Sequence, residues 1–330
     1  MKLAILGAGA WGTALGVALA ARHSIALWAR DMQQCRAMSA DRFNARYLPE
    51  VALPADVLIT ADVQQALAGA GLIVIAVPTG ALRETLKLIV AAGSEAGVVW
   101  LCKGFESGSA KFPHQIAEEE LPSSQPRAAL SGPSFADEVA RGLPAAVTLA
   151  SRDPEFAASA SGLLHTGRLR VYSSDDLIGV EIGGAVKNVI AIAAGVCDGL
   201  KLGASARAAL ITRGLAEVTR LGVRMGGRVE TFMGLAGAGD LMLTATSDLS
   251  RNRRVGLQLA LGRPLVNILA ELGHVAEGVR TAPELQRLAK QLKVDMPISS
   301  AVSHLLGGMT SAAELVDGLL QREPKPESVR

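Results

Sequence analysis

Leu3-Ala4-Ile5-Leu6-Gly7-Ala8-Gly9-Ala10-Trp11-Gly12-Thr13-Ala14-Leu15 is the stretch that decides how this chain is read. A short apolar strand runs into a glycine turn, and a helix follows. Gly7, Gly9 and Gly12 keep the G-x-G-x-x-G spacing. A pyrophosphate needs backbone that approaches without a Cβ in the way, and free N–H groups at the positive end of a helix beneath it. Gly7 is expected to make the tight turn, Gly9 the close approach and Gly12 the contact of helix on strand. Glycine turns are common, and it is the strand before and the helix after that point to dinucleotide binding. The same residues also imitate a secretory leader: Lys2, then an apolar run from Leu3 to Ala21 with small residues at Ala18 and Ala20. Gly7, Gly9, Gly12 and Gly16 break that run, and a second strand from Ser24 to Ala29 follows at the distance a βαβ unit requires. With no charged stop-transfer pattern behind it, a membrane span is not expected.

The composition sets the outer limits. A length of 330 residues favours two domains, each large enough to bury a core. Aromatic residues make up only 3% and the formal net charge is +2, which argues against a nucleic-acid binder with its basic face and stacking rings. Cys35, Cys102 and Cys197 are scattered, and so are His23, His114, His165, His274 and His304. Neither a disulfide framework nor a metal-ligand spacing is present, so no metal is expected and the cytoplasm is the expected compartment.

Alternating strands and helices continue outward from the glycine turn. The helix from about Ala10 to Arg22 leads to a strand ending at Trp28-Ala29-Arg30-Asp31. At the end of the second strand an acidic side chain accepts from a ribose 2′-hydroxyl, and an arginine pairs with a 2′-phosphate. Arg30 comes first, which favours NADP with NAD tolerated; Asp31 reads equally well as the cap of the next helix. Residues 40–56 read as a surface loop. Strand Val57 to Thr60, helix Asp62 to Ala68 and the fully apolar strand Leu72 to Val77 follow, the last as expected of a parallel strand buried on both faces. Helix Ala81 to Ala92 returns the chain to strand Val98 to Cys102, and Lys103 follows at its carboxyl end, where open α/β sheets hold ligands. Strand Ala128 to Ser131 ends in Ser131-Gly132-Pro133-Ser134-Phe135-Ala136, with Ser134 set to cap a helix beginning near Phe135. Strand Ala145 to Ala150, helix Pro154 to Leu164 and strand Arg168 to Tyr172 complete the sheet, and residues 173–176 read as the linker.

Beyond Leu177 no convincing strand remains. Gly179 to Cys197 is apolar almost throughout and suggests a helix buried on most sides. Lys187 lies inside it. A lysine there is costly unless paired or used, and burial pushes its pKa toward the range useful for proton transfer. Glu181 and Asn188 are the nearby candidates to orient it; snorkelling at a helix edge is the plain alternative. Gly183 and Gly184 within a helix suggest close approach of another backbone or a cofactor. Gly234 to Leu241 reads as too glycine-rich for a helix, with Asp240 at its end. Ser250 then caps a helix that opens with Arg251, Arg253 and Arg254. Cations at a helix N-terminus oppose the dipole unless an anion is held there, which points to a phosphate-bearing substrate. Helices Leu265 to Leu272, Ala282 to Leu292, Ile298 to Leu306 and Ala312 to Gln321 complete the second half, and residues 321–330 read as a disordered tail. The expected architecture is a Rossmann-type doubly wound α/β sheet over residues 1–174 and an all-helical substrate domain over residues 175–330.

Taken together, these residues resemble the bacterial NAD(P)-dependent glycerol-3-phosphate dehydrogenases. The resemblance runs from the glycine turn through Lys103-Gly104-Phe105-Glu106, Ser131 to Ala136, Glu181-Ile182-Gly183-Gly184-Ala185-Val186-Lys187-Asn188 and Arg207 to Leu215, to Ser250-Arg251-Asn252-Arg253-Arg254-Val255-Gly256. It implies reversible reduction of dihydroxyacetone phosphate to sn-glycerol 3-phosphate, feeding phospholipid synthesis. It makes Lys187 the proton donor and acceptor, with Lys103, Asp240 and Thr244 around the reacting carbon. Gly132, Ser134, Ser250, Arg251 and Asn252 would join Lys103, Lys187 and Asp240 in holding the substrate, Arg251 and Asn252 at its phosphate. Gly7, Gly9, Ala10, Trp11, Gly12, Arg30, Lys103, Ala136, Arg251, Val275 and Glu277 would line the cofactor. A homodimer is compatible with this reading. Ala10 stands where serine is common, Ala204 and Ser205 replace a frequent Asp-Asn pair, and Ala245 replaces a frequent cysteine. Two other readings carry the glycine turn: a related dehydrogenase of hydroxy acids, which need not have Ser250-Arg251-Asn252, and a non-catalytic nicotinamide sensor, against which Lys103, Lys187 and Asp240 speak.

Overall fold

A computed structural model describes residues 1–273 and 276–322 of the chain. The opening stretch is strand β1 (Lys2–Leu6), the glycine turn and helix α1 (Ala10–Ala20). Leu3, Ala4, Ile5 and Leu6 are fully buried, so this segment is the middle of a sheet and not a leader. Next come β2 (Ser24–Trp28) and α2 (Met32–Asp41), then β3 (Phe43–Asn44) and β4 (Leu48–Ala52), β5 (Leu58–Thr60), α3 (Val63–Leu67) and β6 (Leu72–Ile75). Helix α4 (Leu82–Ala91), β7 (Gly97–Trp100), α5 (Pro113–Glu120), β8 (Arg127–Ser131), α6 (Ala136–Ala140), β9 (Ala145–Ala150), α7 (Pro154–Leu164) and β10 (Leu169–Ser174) complete the α/β half.

The sheet runs β10-β9-β8-β7-β6-β1-β2-β5, eight strands with β1 between β2 and β6. Every pairing in it is parallel except β8 with β9. Strand order reverses at β1: the chain first builds outward to β2 and β5, then returns to add β6 on the other side. The crevice at that reversal, beyond the carboxyl ends of β1 and β6, is where such sheets take ligands. Helices cover both faces, so β6 and β7 are apolar on both sides.

From Leu177 on the described elements are helical: α8 (Leu177–Gly199), α9 (Ala204–Arg224), α10 (Val229–Met233), α11 (Asp240–Thr246), α12 (Arg251–Ala260), α13 (Leu265–Leu272), α14 (Glu277–Leu292), α15 (Pro297–Leu306) and α16 (Ala312–Leu320). Helix α8 is the axis of this half. It is long and apolar enough to cross a membrane, yet 94% of its most apolar window is buried in protein, which makes it a core helix. Helices α9, α11, α12 and α14 pack around it.

Several local expectations are corrected. Residues 40–56 contain the antiparallel pair β3–β4, with a register shift at Phe43/Asn44, instead of loop alone. Helix α5 fills the stretch before β8, where none was expected. Ser134 does not cap α6: Phe135 holds that position, and the Ser134 hydroxyl donates to the Gly132 carbonyl (3.0 Å). The supposed linker is structured, since Ser173 and Ser174 belong to β10 and Asp176 caps α8 by accepting from Gly179 N–H (2.8 Å). Leu235–Gly239 is a turn of π-helix closed by Gly239 N–H donating to Gly234 O (3.1 Å), and Asp240 is the first residue of α11. Gly237 is demanded from outside the turn: a Cβ on it would lie 2.1 Å from the Phe232 carbonyl oxygen. Residues 323–330 of the expected tail lie outside the described residues; Arg322, just before them, pairs with Asp295 (2.9 Å).

Candidate active site

The glycine turn sits at the carboxyl end of β1, and its three glycines have three different causes. Gly7 has φ +117°, and a Cβ on it would meet the Ala76 carbonyl oxygen at 2.7 Å. A Cβ on Gly12 would fall 1.9 Å from the Gly7 carbonyl oxygen, so this glycine lets the helix start against the strand. At Gly9 a Cβ would meet no protein atom within 4 Å. Protein packing therefore does not require glycine there, whereas a ligand lying on the turn would. Helix α1 has no side-chain cap at Gly9 and no acidic residue in its first turn, so its leading N–H groups are left for an anion. These features fit the pyrophosphate of a dinucleotide.

The other residues expected to line a cofactor come from four further places. Arg30 is exposed beyond the end of β2, while Asp31 is committed to capping α2, accepting from Gln33 N–H (2.8 Å) and Gln34 N–H (3.3 Å). Ala136 opens α6 and packs toward Ala14 of α1. Trp11 is half-buried on α1. Glu277 opens α14 and reaches the Lys103 segment: an atom built on Gly104 would lie 3.6 Å from its Oε2. Burial raises the Glu277 carboxyl above its ordinary value, against the pull of Arg280 and Arg251. Val275 lies outside the described residues.

Lys103, beyond the end of β7, and Lys187, in the middle of α8, meet on one carboxylate. Lys103 Nζ donates to Asp240 Oδ2 (2.6 Å) and to the Gly132 carbonyl (3.3 Å). Lys187 Nζ donates to Asp240 Oδ1 and to the Thr244 hydroxyl (2.8 Å). Lys187 is 7% exposed and Asp240 1%, which disposes of snorkelling. Burial is the largest influence on Lys187 and drives its ammonium down to about 7; Asp240 opposes that and Lys103 adds to it. Burial works to raise the Asp240 carboxyl, but the two ammoniums outweigh it and hold it below the carboxylate range. The result is a buried amine whose proton affinity lies near neutrality, held between Asp240 and Thr244.

The expected orienters of Lys187 are corrected. Glu181 accepts instead from Trp100 Nε1 (2.8 Å) and from His114. Asn188 Oδ1 accepts from Asn252 Nδ2 (2.9 Å). Asp240 and Thr244, one helical turn apart on α11, do the orienting. Close approach at the helix glycines is as anticipated. A Cβ on Gly183 would lie 2.4 Å from the Ala236 carbonyl oxygen, and one on Gly184 would lie 2.7 Å from Ser131 Oγ and 3.4 Å from Lys103 Cγ.

At the start of α12, Ser250 is the cap and its hydroxyl accepts from Arg253 N–H (3.3 Å). The three arginines at this helix start are not equivalent. Arg253 turns inward and is neutralised by Asp198 (2.7 Å) and Asp248 (2.6 Å). Arg251 is open to solvent and has no ion-pair partner among the described residues. Asn252 ties α12 to its neighbours, Oδ1 accepting from Gly278 N–H (3.0 Å) and Nδ2 donating to Asn188, which leaves one amide hydrogen unused. Sequence reasoning passed over Trp100 and His114; a solitary histidine and an apolar strand end carry no signal by themselves.

Comparison with known proteins supplies the context. The family model described as NAD-dependent glycerol-3-phosphate dehydrogenase N-terminus matches residues 2–157, and the model of the corresponding C-terminus matches residues 176–317. The glycerol-3-phosphate dehydrogenase (NAD(P)+) of Nitrosospira multiformis is 56% identical over 331 residues, 99% of each chain. That of Dechloromonas aromatica is 55% identical over 327 residues, again 99% of each. The crystal structure of glycerol-3-phosphate dehydrogenase from Coxiella burnetii superposes with a TM-score of 0.93 at 41% identity, covering 97% of this chain and 99% of that one.

Proposed function

Because the chain belongs to the NAD-dependent glycerol-3-phosphate dehydrogenase family, we propose that it reduces dihydroxyacetone phosphate reversibly to sn-glycerol 3-phosphate, with Lys187 as the acid and base. The observation that carries the assignment of roles is the single carboxylate shared by Lys103 and Lys187. When bound, the reduced nicotinamide supplies the hydride that the ketone carbon accepts. As the carbonyl π bond opens, Lys187 gives its proton to the oxygen and is left neutral, still hydrogen-bonded to Asp240. Lys103 keeps its positive charge beside the developing alkoxide and stabilises it where water is scarce.

The remaining residues bind and orient. Gly7, Gly9, Ala10, Trp11 and Gly12 offer backbone N–H groups to the pyrophosphate, and Ala136, Lys103, Arg251 and Glu277 line the rest of the cofactor. Arg30, exposed and without an ion-pair partner among the described residues, favours NADP through the 2′-phosphate. Arg251 and the spare amide hydrogen of Asn252 hold the substrate phosphate, with Gly132, Ser134 and Ser250 beside it. This remote grip fixes the carbonyl against Lys187 and turns binding energy into orientation. The division of labour falls between residues 1–174 for the cofactor and 175–330 for the substrate. We place the enzyme in the cytoplasm, supplying phospholipid synthesis; a homodimer is compatible with this reading.

The test is to mix the protein with dihydroxyacetone phosphate and reduced cofactor and follow nicotinamide absorbance. Consumption of NADPH, and more slowly of NADH, is expected; no consumption of either with this ketone overturns the reading. Arg251→Ala should raise KM for dihydroxyacetone phosphate at least tenfold, since a charge-assisted bond contributes roughly 1.5–3 kcal/mol. With cofactor saturating, the loss on phosphate-free dihydroxyacetone should be much smaller, and an equal loss on both ketones would remove Arg251 from the phosphate site.

A further inference from the structure

Glu181 is a buried carboxylate that the chemistry above does not use. It is 6% exposed, and three donors converge on it. Trp100 Nε1–H (2.8 Å) and the His114 backbone N–H (3.0 Å) share Oε1, and the His114 ring approaches Oε2 through Nδ1. An ionised carboxylate only accepts, so Nδ1 carries the hydrogen. Trp100 is the last residue of β7 and His114 lies in the first turn of α5. Helix α5 has no side-chain cap from its own Phe112, so Glu181 satisfies one of its orphan N–H groups from across the molecule.

The placement of these donors matters more than their number. The segment between Trp100 and His114 contains Lys103, and both of its ends are fastened to the same side chain of α8. Lys187 stands on that helix. Asp240 therefore joins the two lysines at their tips, and Glu181 joins the elements that carry them at their bases. We propose that Glu181 is a positioning residue for the reaction, stapling the Lys103 segment onto α8 so that both ammoniums meet Asp240. It touches neither substrate nor cofactor and acts through Lys103. The inference rests on the reading of Lys103 and Lys187 given above.

Glu181→Leu removes all three acceptances while keeping a side chain of similar bulk. Trp100→Phe removes one donor and leaves the ring packing. Glu181→Gln keeps Oε1 for Trp100 and the His114 N–H, and its amide can donate to Nδ1 once the ring proton moves to Nε2. In Glu181→Leu, kcat for dihydroxyacetone phosphate, measured per folded enzyme, should fall about tenfold, since displacements near 1 Å cost up to 100-fold. Trp100→Phe should fall less, and Glu181→Gln should stay within about threefold of wild type on the same argument.

A purely structural role would also leave the pH profile unmoved. The charged groups facing Lys187 are Asp240 from α11 and Lys103 from the segment after β7. Asp240 stays with Lys187 inside the helical half, whereas a loosened Lys103 withdraws its repulsion. The alkaline limb of the reduction rate should then move to higher pH in Glu181→Leu, and by a smaller amount in Trp100→Phe. Wild-type kcat and an unmoved limb in folded Glu181→Leu overturn the proposal. If that variant does not fold, the same result in Trp100→Phe overturns it. Absence of turnover in the wild-type protein would instead refute the functional reading on which the inference rests.

Discussion

Asp240 and Glu217 are both 1% exposed, and both lie in the helical half, yet burial has opposite outcomes for them. Asp240 meets two ammoniums, and its carboxyl is held below the ordinary range. Glu217 meets only neutral donors: Ile298 N–H (2.6 Å), Ser299 N–H (3.0 Å) and the Ser299 hydroxyl (2.9 Å). Burial outweighs those three bonds, and the weaker pull of the Arg220 charge, and raises its carboxyl. The first carboxylate joins two lysines from different elements, whereas the second caps the start of α15 and ties it to α9. Depth alone does not mark a site in this protein; the charge of the partners does.

The sharpest way to break that contrast is at Lys187. Lys187→Ala should lower kcat about 10²–10⁴-fold, the usual range for removing a general acid. Reduced-cofactor binding, followed by fluorescence titration, should persist. Retained turnover would take the lysine out of the mechanism. In the wild type, reduction needs the protonated amine, so its rate should fall as pH rises through about 7, while oxidation of glycerol 3-phosphate should gain over the same window.

Asp240→Asn comes next. It removes the charge that opposes burial at Lys187, so the reduction limb should move to lower pH and kcat near neutrality should fall about tenfold or more. A limb that stays in place would mean that Asp240 does not set the lysine's proton affinity. Glu217→Ala should have the smallest effect on chemistry, with kcat per folded enzyme unchanged. Its cost appears in denaturant unfolding as roughly 1–3 kcal/mol from unsatisfied donors. The raised carboxyl also fixes a sign. Its contribution to stability is complete below the ordinary carboxylate range and is lost as pH rises through the elevated folded value. The alanine variant should lack that slope.

The same contrast explains how far the sequence could be read. The glycine turn, the apolar strands, the buried lysine and the Ser250 cap were legible because each is a local pattern with a local cause. The partners of Lys187 were not. Glu181 lies six positions before it and Asn188 one after it, and only neighbours three or four apart share a helix face. Helical geometry alone therefore turns both away, and the actual partners come from another helix. Helix α5 is hidden in the sequence because Glu118-Glu119-Glu120 crowd its carboxyl end, against the dipole, and Arg152, Arg83 and Lys111 stabilise them from elsewhere. The helical turn at Leu235–Gly239 is illegible because Gly237 answers to the Phe232 backbone, a contact that composition cannot reveal.

One of those contacts sets the mutational tolerance of the site. Gly183 presses against the carbonyl of Ala236, within the turn that delivers Asp240. A single added methyl group at 183 would have to displace that main chain, and the displacement would be carried along the turn to the acid. The packing of α8 on that turn therefore bars even the smallest side chain from position 183.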